Sequence, residues 1–210
     1  MKQRTIILTA LLIIAAAAYA KKVKLTIDGT LSPTQTTLYL IINEDTANAQ
    51  RLAIENAHFS VSLKVDANDI IRLHDYKGWP ERSAFVLIPD SRHITIDWRT
   101  GAIEGSPMSL RMKAAIKQVR DESPEGFHID VFSEDPEAWA KARQQGEIIR
   151  QHMLDKQRQT IYKVITENQD NNISTWIAYC YSNLFPDGLD QLALGKNPKW
   201  LNHPTLKARK

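Results

Sequence analysis

The repeat length of the hydrophobic pattern changes once along this chain, near residue 105, and this change constrains the fold most strongly. Over residues 23–103, apolar and polar residues alternate in seven or eight short runs that end at turn residues such as Gly29, Asn56 and Gly101. Runs with a period of two and no helical pattern between them are typical of antiparallel strands. We therefore predict a β-sandwich or partly open barrel over residues 21–104.

Beyond residue 105, apolar residues recur every three or four positions, which is the repeat of an amphipathic helix. Asp135 and Pro136 match a helix N-cap followed by proline at the first helical position. The stripe behind them predicts one long helix over residues 136–167, about 48 Å long at roughly 1.5 Å per residue. The stripe residues that we expect to be buried against other helices are Trp139, Ile149, Met153 and Val164.

The two patterns together predict an α+β protein with an N-terminal β lobe and a helical lobe that contains one long helix. The helical lobe covers residues 105–204, and a basic tail follows at residues 205–210. Cys180 is the only cysteine, so the chain cannot form an internal disulfide. Because Cys180 lies one turn after Trp176 in another apolar stripe, we expect its thiol to be buried.

Residues 1–20 have the three parts of a secretory signal peptide. Lys2 and Arg4 precede a short apolar run, and small residues stand at positions −3 and −1 of a cut after Ala20. The apolar run is shorter than the roughly 20 residues that a transmembrane helix needs. We therefore expect cleavage between Ala20 and Lys21, an exported mature protein, and no transmembrane anchor after cleavage.

Charge and motif content argue against several function classes. Removal of Lys2 and Arg4 lowers the formal net charge from +3 to +1, and nucleic-acid binding needs basic residues clustered on one face. The six histidines are scattered, and there is no His-Glu-x-x-His motif and no cysteine pair, so we expect no metal and no cofactor. Glu134, Asp135 and Glu137 suit the start of a helix. We expect no catalytic residues and no enzymatic activity.

Several short segments occur in an order that carries a family resemblance. They are Leu25-Thr26-Ile27-Asp28-Gly29, Asn56-Ala57-His58-Phe59-Ser60, Phe85-Val86-Leu87-Ile88-Pro89, Ile103-Glu104-Gly105-Ser106 and Asn202-His203-Pro204. This order resembles the N-terminal β domain, of unknown function, that precedes the thioredoxin-like module in bacterial periplasmic thiol-disulfide oxidoreductases. The resemblance implies a periplasmic or secreted protein of a Gram-negative bacterium. Because the Cys-x-x-C of that family belongs to the module and is not among these residues, the resemblance implies no redox catalysis by this chain alone.

The segment 74–82 is the candidate recognition loop between two predicted strands. Loops carry binding functions more often than scaffolds do, and Trp, Tyr and Arg are favoured at binding hot spots. We therefore predict Tyr76, Trp79 and Arg82 as partner-binding residues. The alternative is a hairpin loop whose Trp79 folds back over the end of the sandwich.

Three functions remain open. The first is a non-catalytic exported module that binds a protein or another cell-envelope partner. The second is an accessory that docks with a separate thioredoxin-like oxidoreductase. The third is a small-ligand binder or hydrolase that uses the cleft between the lobes. A flat apolar patch on the long helix would favour the first two, and a pocket lined by several titratable groups would favour the third. Asp45-Thr46-Ala47 also resembles an O-glycosylation acceptor of one Gram-negative phylum.

Overall fold

The structure is a computed structural model that describes residues 22–75, 85–125, 127–185, 188, 192 and 199–207. Its strands are β1 (Lys22–Thr30), β2 (Tyr39–Ile42), β3 (Gln50–Arg51), β4 (His58–Asp66), β5 (Ile71–His74), β6 (Phe85–Leu87), β7 (His93–Asp97) and β8 (Ala102–Glu104). Its α-helices are α1 (Pro107–Asp121), α2 (Pro136–Glu167), α3 (Asn172–Tyr181) and α4 (Pro204–Lys207). Short 3-10 helices span Thr46–Asn48, Ser182–Leu184 and Lys199–Asn202. The predicted α+β class is confirmed, and so is the long helix.

The strands form two four-stranded sheets, with the orders β4-β1-β7-β8 and β3-β2-β5-β6. The prediction of antiparallel strands is wrong at one place, because β1 and β7 pair in parallel, with Ile27 opposite Ile94. After β6 the chain crosses back to the first sheet and runs beside β1 in the same direction. Such a crossover is a long-range event, so the local period of the sequence does not reveal it.

The two sheets face each other across an apolar core. Leu25 and Ile27 of β1 are fully buried, whereas Lys24, between Val23 and Leu25, is exposed, as alternation on a pleated strand requires. Gly29 lets the Phe59 ring of β4 pack closely against β1, because a Cβ atom at Gly29 would clash with that ring. The core continues through Leu40, Ile71, Leu73, Leu87, Ile94, Ile96 and Ile103.

In the second sheet, strand β5 is buried on both faces. All four residues of β5 are buried, which is the burial pattern of a strand covered on two sides. Its outer side is covered by α1, α3 and the last third of α2, which share a second core with Val86 and Ile88. The molecule therefore has three layers, two of sheet and one of helix, and the outer face of the first sheet lies opposite the helical layer. Cys180 is 8 % exposed within this second core, so its predicted burial is confirmed.

Helix α2 begins where its cap signals predict. The Asp135 side chain accepts a hydrogen bond from the Glu137 backbone N–H at 2.9 Å, and Pro136 occupies the first helical position. The helix ends at Asn168, whose side-chain amide donates to the Val164 carbonyl at 2.8 Å. In the part of the chain that the structure describes, no helix combines the length and the apolar character needed to cross a membrane.

The predicted burial along the whole α2 stripe is wrong for its first half. Val164 is buried, but Trp139 is 46 % exposed and Ile149 is 44 % exposed. The buried residues of α2 are Gln157, Ile161, Val164 and Ile165. A periodic stripe shows that one side of a helix is apolar, but it does not show that another element is long enough to cover that side.

Candidate functional site

The first half of α2 and the segment before it extend beyond the helical layer, and we call residues 127–152 the arm. Not one of these residues is buried, and burial on α2 begins only at Gln157. Residues 136–152 alone give a helix about 25 Å long at roughly 1.5 Å per residue. The arm therefore offers an elongated surface that the rest of the described chain leaves uncovered.

The segment 127–135 runs back along the helix and stiffens the arm. Gly146 makes room for Ile129, because a Cβ atom at Gly146 would lie 3.0 Å from the Ile129 Cδ1 atom. The Trp139 indole N–H donates to the Ser133 carbonyl at 2.7 Å. A shallow cleft of about 300 Å³ lies between the segment and the helix. The arm is therefore a helix with the segment 127–135 packed against one side of it.

Exposed apolar side chains are concentrated on the arm. Seven large apolar side chains are exposed among the described residues, and five of them belong to the arm. The five are Ile129, Phe132, Trp139, Ile148 and Ile149. Phe132 is 98 % exposed and Ile148 is 64 % exposed. Single exposed apolar residues are ordinary, but a cluster of them marks an interaction surface.

The exposed apolar side chains lie on more than one side of the helix. Ile148 follows Trp139 by nine residues, which places it about half a turn around the axis at 3.6 residues per turn. Ile149 lies between these two directions. One flat surface cannot cover both Trp139 and Ile148, whereas a groove that encloses the helix can. The geometry thus fits insertion of the arm into a concave partner.

Charge is divided along the arm. Residues 127–140 contain four acidic residues and no Lys or Arg, which gives a net charge of −4 at the tip. Residues 141–152 contain three basic residues and one acidic residue, which gives +2. Arg150 donates a hydrogen bond to Glu147 at 3.1 Å. This hydrogen bond is the main cause of the lowered pKa of the Glu147 carboxyl, and the positive charge of Arg150 is the second cause. Lys141 and Arg143 account for the net positive charge that remains.

A buried ion pair lies elsewhere, between the second sheet and α3. The Arg72 guanidinium is bidentate to Glu44, with Nε to Oε1 at 2.6 Å and Nη2 to Oε2 at 2.8 Å. The Tyr179 hydroxyl donates to Glu44 Oε2 at 3.3 Å. Burial, followed by the charge of Glu44, raises the pKa of Tyr179 to about 12. This cluster links α3 to the sheet. In the sequence, it was indicated only by Arg72, a charged residue within the apolar run 70–73.

A cleft of about 730 Å³ lies between the 42–48 turn and α4, where the third function would place a small ligand. Glu44, Asp45 and Lys207 are its titratable lining residues. Both carboxylates are already engaged, since Glu44 holds Arg72 and Asp45 accepts from the Asn48 side chain at 2.7 Å. Thr46, in the possible glycosylation tripeptide, is exposed at the rim. The cleft is therefore weaker evidence for a small-ligand site than the arm is for a partner-binding surface.

The predicted partner-binding residues Tyr76, Trp79 and Arg82 lie outside the residues that the structure describes, and so do the cleavage-site residues Ala20 and Lys21. These two hypotheses remain predictions. Among the described residues, no group of three or more His, Cys, Asp or Glu side chains is placed to hold a metal ion. Sequence reasoning considered a partner surface on the long helix, but it predicted burial of Trp139 and Ile149 and did not include residues 127–135 in that surface.

Comparison of the chain with protein-family models, with curated proteins and with solved structures finds no match. The resemblance to the β domain of periplasmic oxidoreductases therefore remains a prediction.

Proposed function

We propose that this protein is a non-catalytic exported module that binds another protein through the arm, residues 127–152. The observation that carries the proposal is the concentration of exposed apolar side chains there, above all Phe132 at 98 % exposure. Burying a large apolar side chain contributes about 1.5–3 kcal/mol. In the isolated chain these apolar side chains remain in contact with water, so their burial against a partner would contribute this free energy to binding.

The partner's chemistry follows from the shape and charge of the arm. Apolar side chains on opposite sides of a helix fit a groove, which is a common way for one protein to hold a helix of another. The acidic tip, at −4, favours basic residues at the inner end of that groove, and the +2 of residues 141–152 favours acidic residues at its mouth. A membrane surface fits less well, because helices that lie on membranes carry mainly basic polar faces.

A separate thioredoxin-like oxidoreductase is the partner that the family resemblance implies. This chain would dock with it as an accessory, and the oxidoreductase would supply its own cysteine pair, since this chain has one buried cysteine. Such an oxidoreductase is therefore a defined probe for the binding experiment.

Paired capture experiments test the proposal. The mature protein and its Phe132→Ser/Ile148→Ser variant are immobilised, and each is exposed to periplasmic extract and to a purified thioredoxin-like protein from the same cells. The wild type should retain a specific protein, and the variant should lose it by about 30-fold or more, as hot-spot removal does. Because both side chains are exposed, the melting temperatures should agree. Leu110→Ser is the matched control, since Leu110 is 48 % exposed but lies on α1.

A charge variant tests the direction of insertion. Glu134→Gln/Glu137→Gln removes half of the acidic tip and should slow association, with a smaller effect at high salt. Capture that is equal for wild type and the apolar arm variant would overturn the proposal. Reversible dimerisation of the wild type, abolished in the arm variant and detected by analytical ultracentrifugation, would also overturn it, because a second copy of the chain would then cover the arm.

A further inference from the structure

A cleft lined by cations lies on the outer face of the first sheet, opposite the helical layer. Lys22 and Lys24 project outward from β1, and Arg92 lies in the turn before β7. These three side chains, with Val23 and Thr26, line a space of about 500 Å³. The cleft is separate from the arm, so a ligand bound here does not depend on the proposed function.

The sheet places like charges opposite each other at this cleft. Lys24 of β1 and Lys64 of β4 are direct partners in the antiparallel register. Like charges in directly opposed positions destabilise a sheet. The mature chain has a formal charge of only +1, so four cations here are not a consequence of an overall basic composition. An arrangement that opposes folding at this point is explained if an anion binds between the cations.

One carboxylate stands beside these cations, because Asp66 of β4 lies opposite Lys22 in the register and on the same outward face. Among the described residues, neither Asp66 nor any of the four cations makes an ion pair. The outward carboxylate of β1, Asp28, is already paired with His93 at 2.7 Å. The next outward position offers hydroxyl groups instead, because Thr26 Oγ1 and Ser62 Oγ lie 3.2 Å apart in a shared hydrogen bond. The cleft thus combines positive charge with hydrogen-bond donors.

We propose that this cleft binds a phosphate group. The Arg92 guanidinium can hold two phosphate oxygens in a bidentate contact, while Lys22 and Lys24 act as point charges. Lys64 does not line the cleft, but as the register partner of Lys24 it adds to the positive potential there, and the Thr26 hydroxyl can donate to the anion. The phosphate can belong to a soluble phosphoester or to the headgroup of an anionic lipid. In either case the ligand does not occupy the arm, because no arm residue lines the cleft.

Two binding measurements on the mature protein separate these sources. Isothermal titration with inorganic phosphate tests for a free anion, and cosedimentation with phosphatidylglycerol vesicles, compared with phosphatidylcholine vesicles, tests for a headgroup. Lys24→Gln/Arg92→Gln should weaken either interaction by tenfold or more. The matched control is Arg99→Gln/Lys163→Gln, which removes the same charge from exposed positions outside the cleft and should bind as the wild type does.

Stability supplies a second measurement. The single Lys24→Gln variant should melt at the same temperature as the wild type or higher, because it relieves the repulsion from Lys64. Phosphate binding supports a soluble phosphoester, and binding to phosphatidylglycerol vesicles alone supports a lipid headgroup. Failure of both probes to bind the wild type would overturn the proposal, as would an equal loss of binding in the cleft variant and the control variant.

Discussion

Replacing Glu44 by glutamine should destabilise the folded protein by about 3–5 kcal/mol, because the buried Arg72 guanidinium then loses the carboxylate to which it is bidentate. Arg72 is 1 % exposed and Glu44 is 5 % exposed, so water cannot take over the role of the lost carboxylate. Glutamine keeps the size of the side chain and one acceptor oxygen. The substitution therefore removes charge while it leaves the packing between the sheet and α3 nearly unchanged.

The magnitude follows from the contacts. Two charge-assisted hydrogen bonds join Arg72 to Glu44, at 2.6 and 2.8 Å, and glutamine can accept only one of them. Loss of one such bond costs about 1.5–3 kcal/mol. The rest of the expected loss comes from the guanidinium charge that remains desolvated. The pKa of Tyr179, raised to about 12, should also fall, because part of its shift comes from Glu44.

Urea denaturation near neutral pH measures the loss of unfolding free energy, and an absorbance titration measures Tyr179. The Glu44→Gln/Arg72→Met double variant removes both charges and should be more stable than Glu44→Gln alone, since an apolar replacement of a buried pair is often neutral. A loss below about 1 kcal/mol for Glu44→Gln, as for an exposed ion pair, would refute the reasoning. A double variant that is no more stable than the single one would do the same.

Two isoleucines of α2 should respond differently to truncation in chemical denaturation: Ile161→Ala, in the buried third, should lose about 2–5 kcal/mol, and the exposed Ile149→Ala less than about 0.5 kcal/mol. Equal losses would show that the arm is packed. Burial lowers the pKa of His203, so stability should decrease as the pH falls below the ordinary value of 6.5 toward the lowered folded-state pKa. Melting temperatures across a pH series should show this decrease, and His203→Gln should reduce it; an unchanged slope would contradict it. Mass spectrometry of the protein recovered from the periplasmic fraction should find Lys21 at its N-terminus, and an intact Met1 would refute cleavage.

Features set by neighbouring residues could be predicted from the sequence. Alternation around Leu25 and Ile27 indicated the strand and its buried face, and Asp135 with Pro136 indicated the start of the long helix. Each depends on backbone preferences within a few residues. The parallel pairing of β1 with β7 could not be predicted in this way, because it depends on where a long crossover returns to the sheet.

The candidate surfaces depend on contacts that the sequence does not contain. The stripe from Trp139 to Val164 is continuous in the sequence, yet only its last part meets the helical layer. Similarly, Lys24, Lys64 and Arg92 are far apart along the chain. Strand register places Lys64 opposite Lys24, and the turn before β7 brings Arg92 to the cleft that Lys24 lines. Whether a side chain is buried depends both on its own element and on the element that packs against it, and the hydrophobic pattern of the sequence describes only the first.

Photo-crosslinking from position 132 tests most directly the claim that the arm binds a partner protein. A photoreactive phenylalanine analogue replaces Phe132, which is 98 % exposed, in cells that produce the protein. The same analogue at Leu110 is the matched control. Irradiation should link position 132 to one discrete protein, visible as a single band of higher mass, and should give no such band from position 110. The absence of an adduct at position 132, or the same adduct from both positions, would contradict the claim.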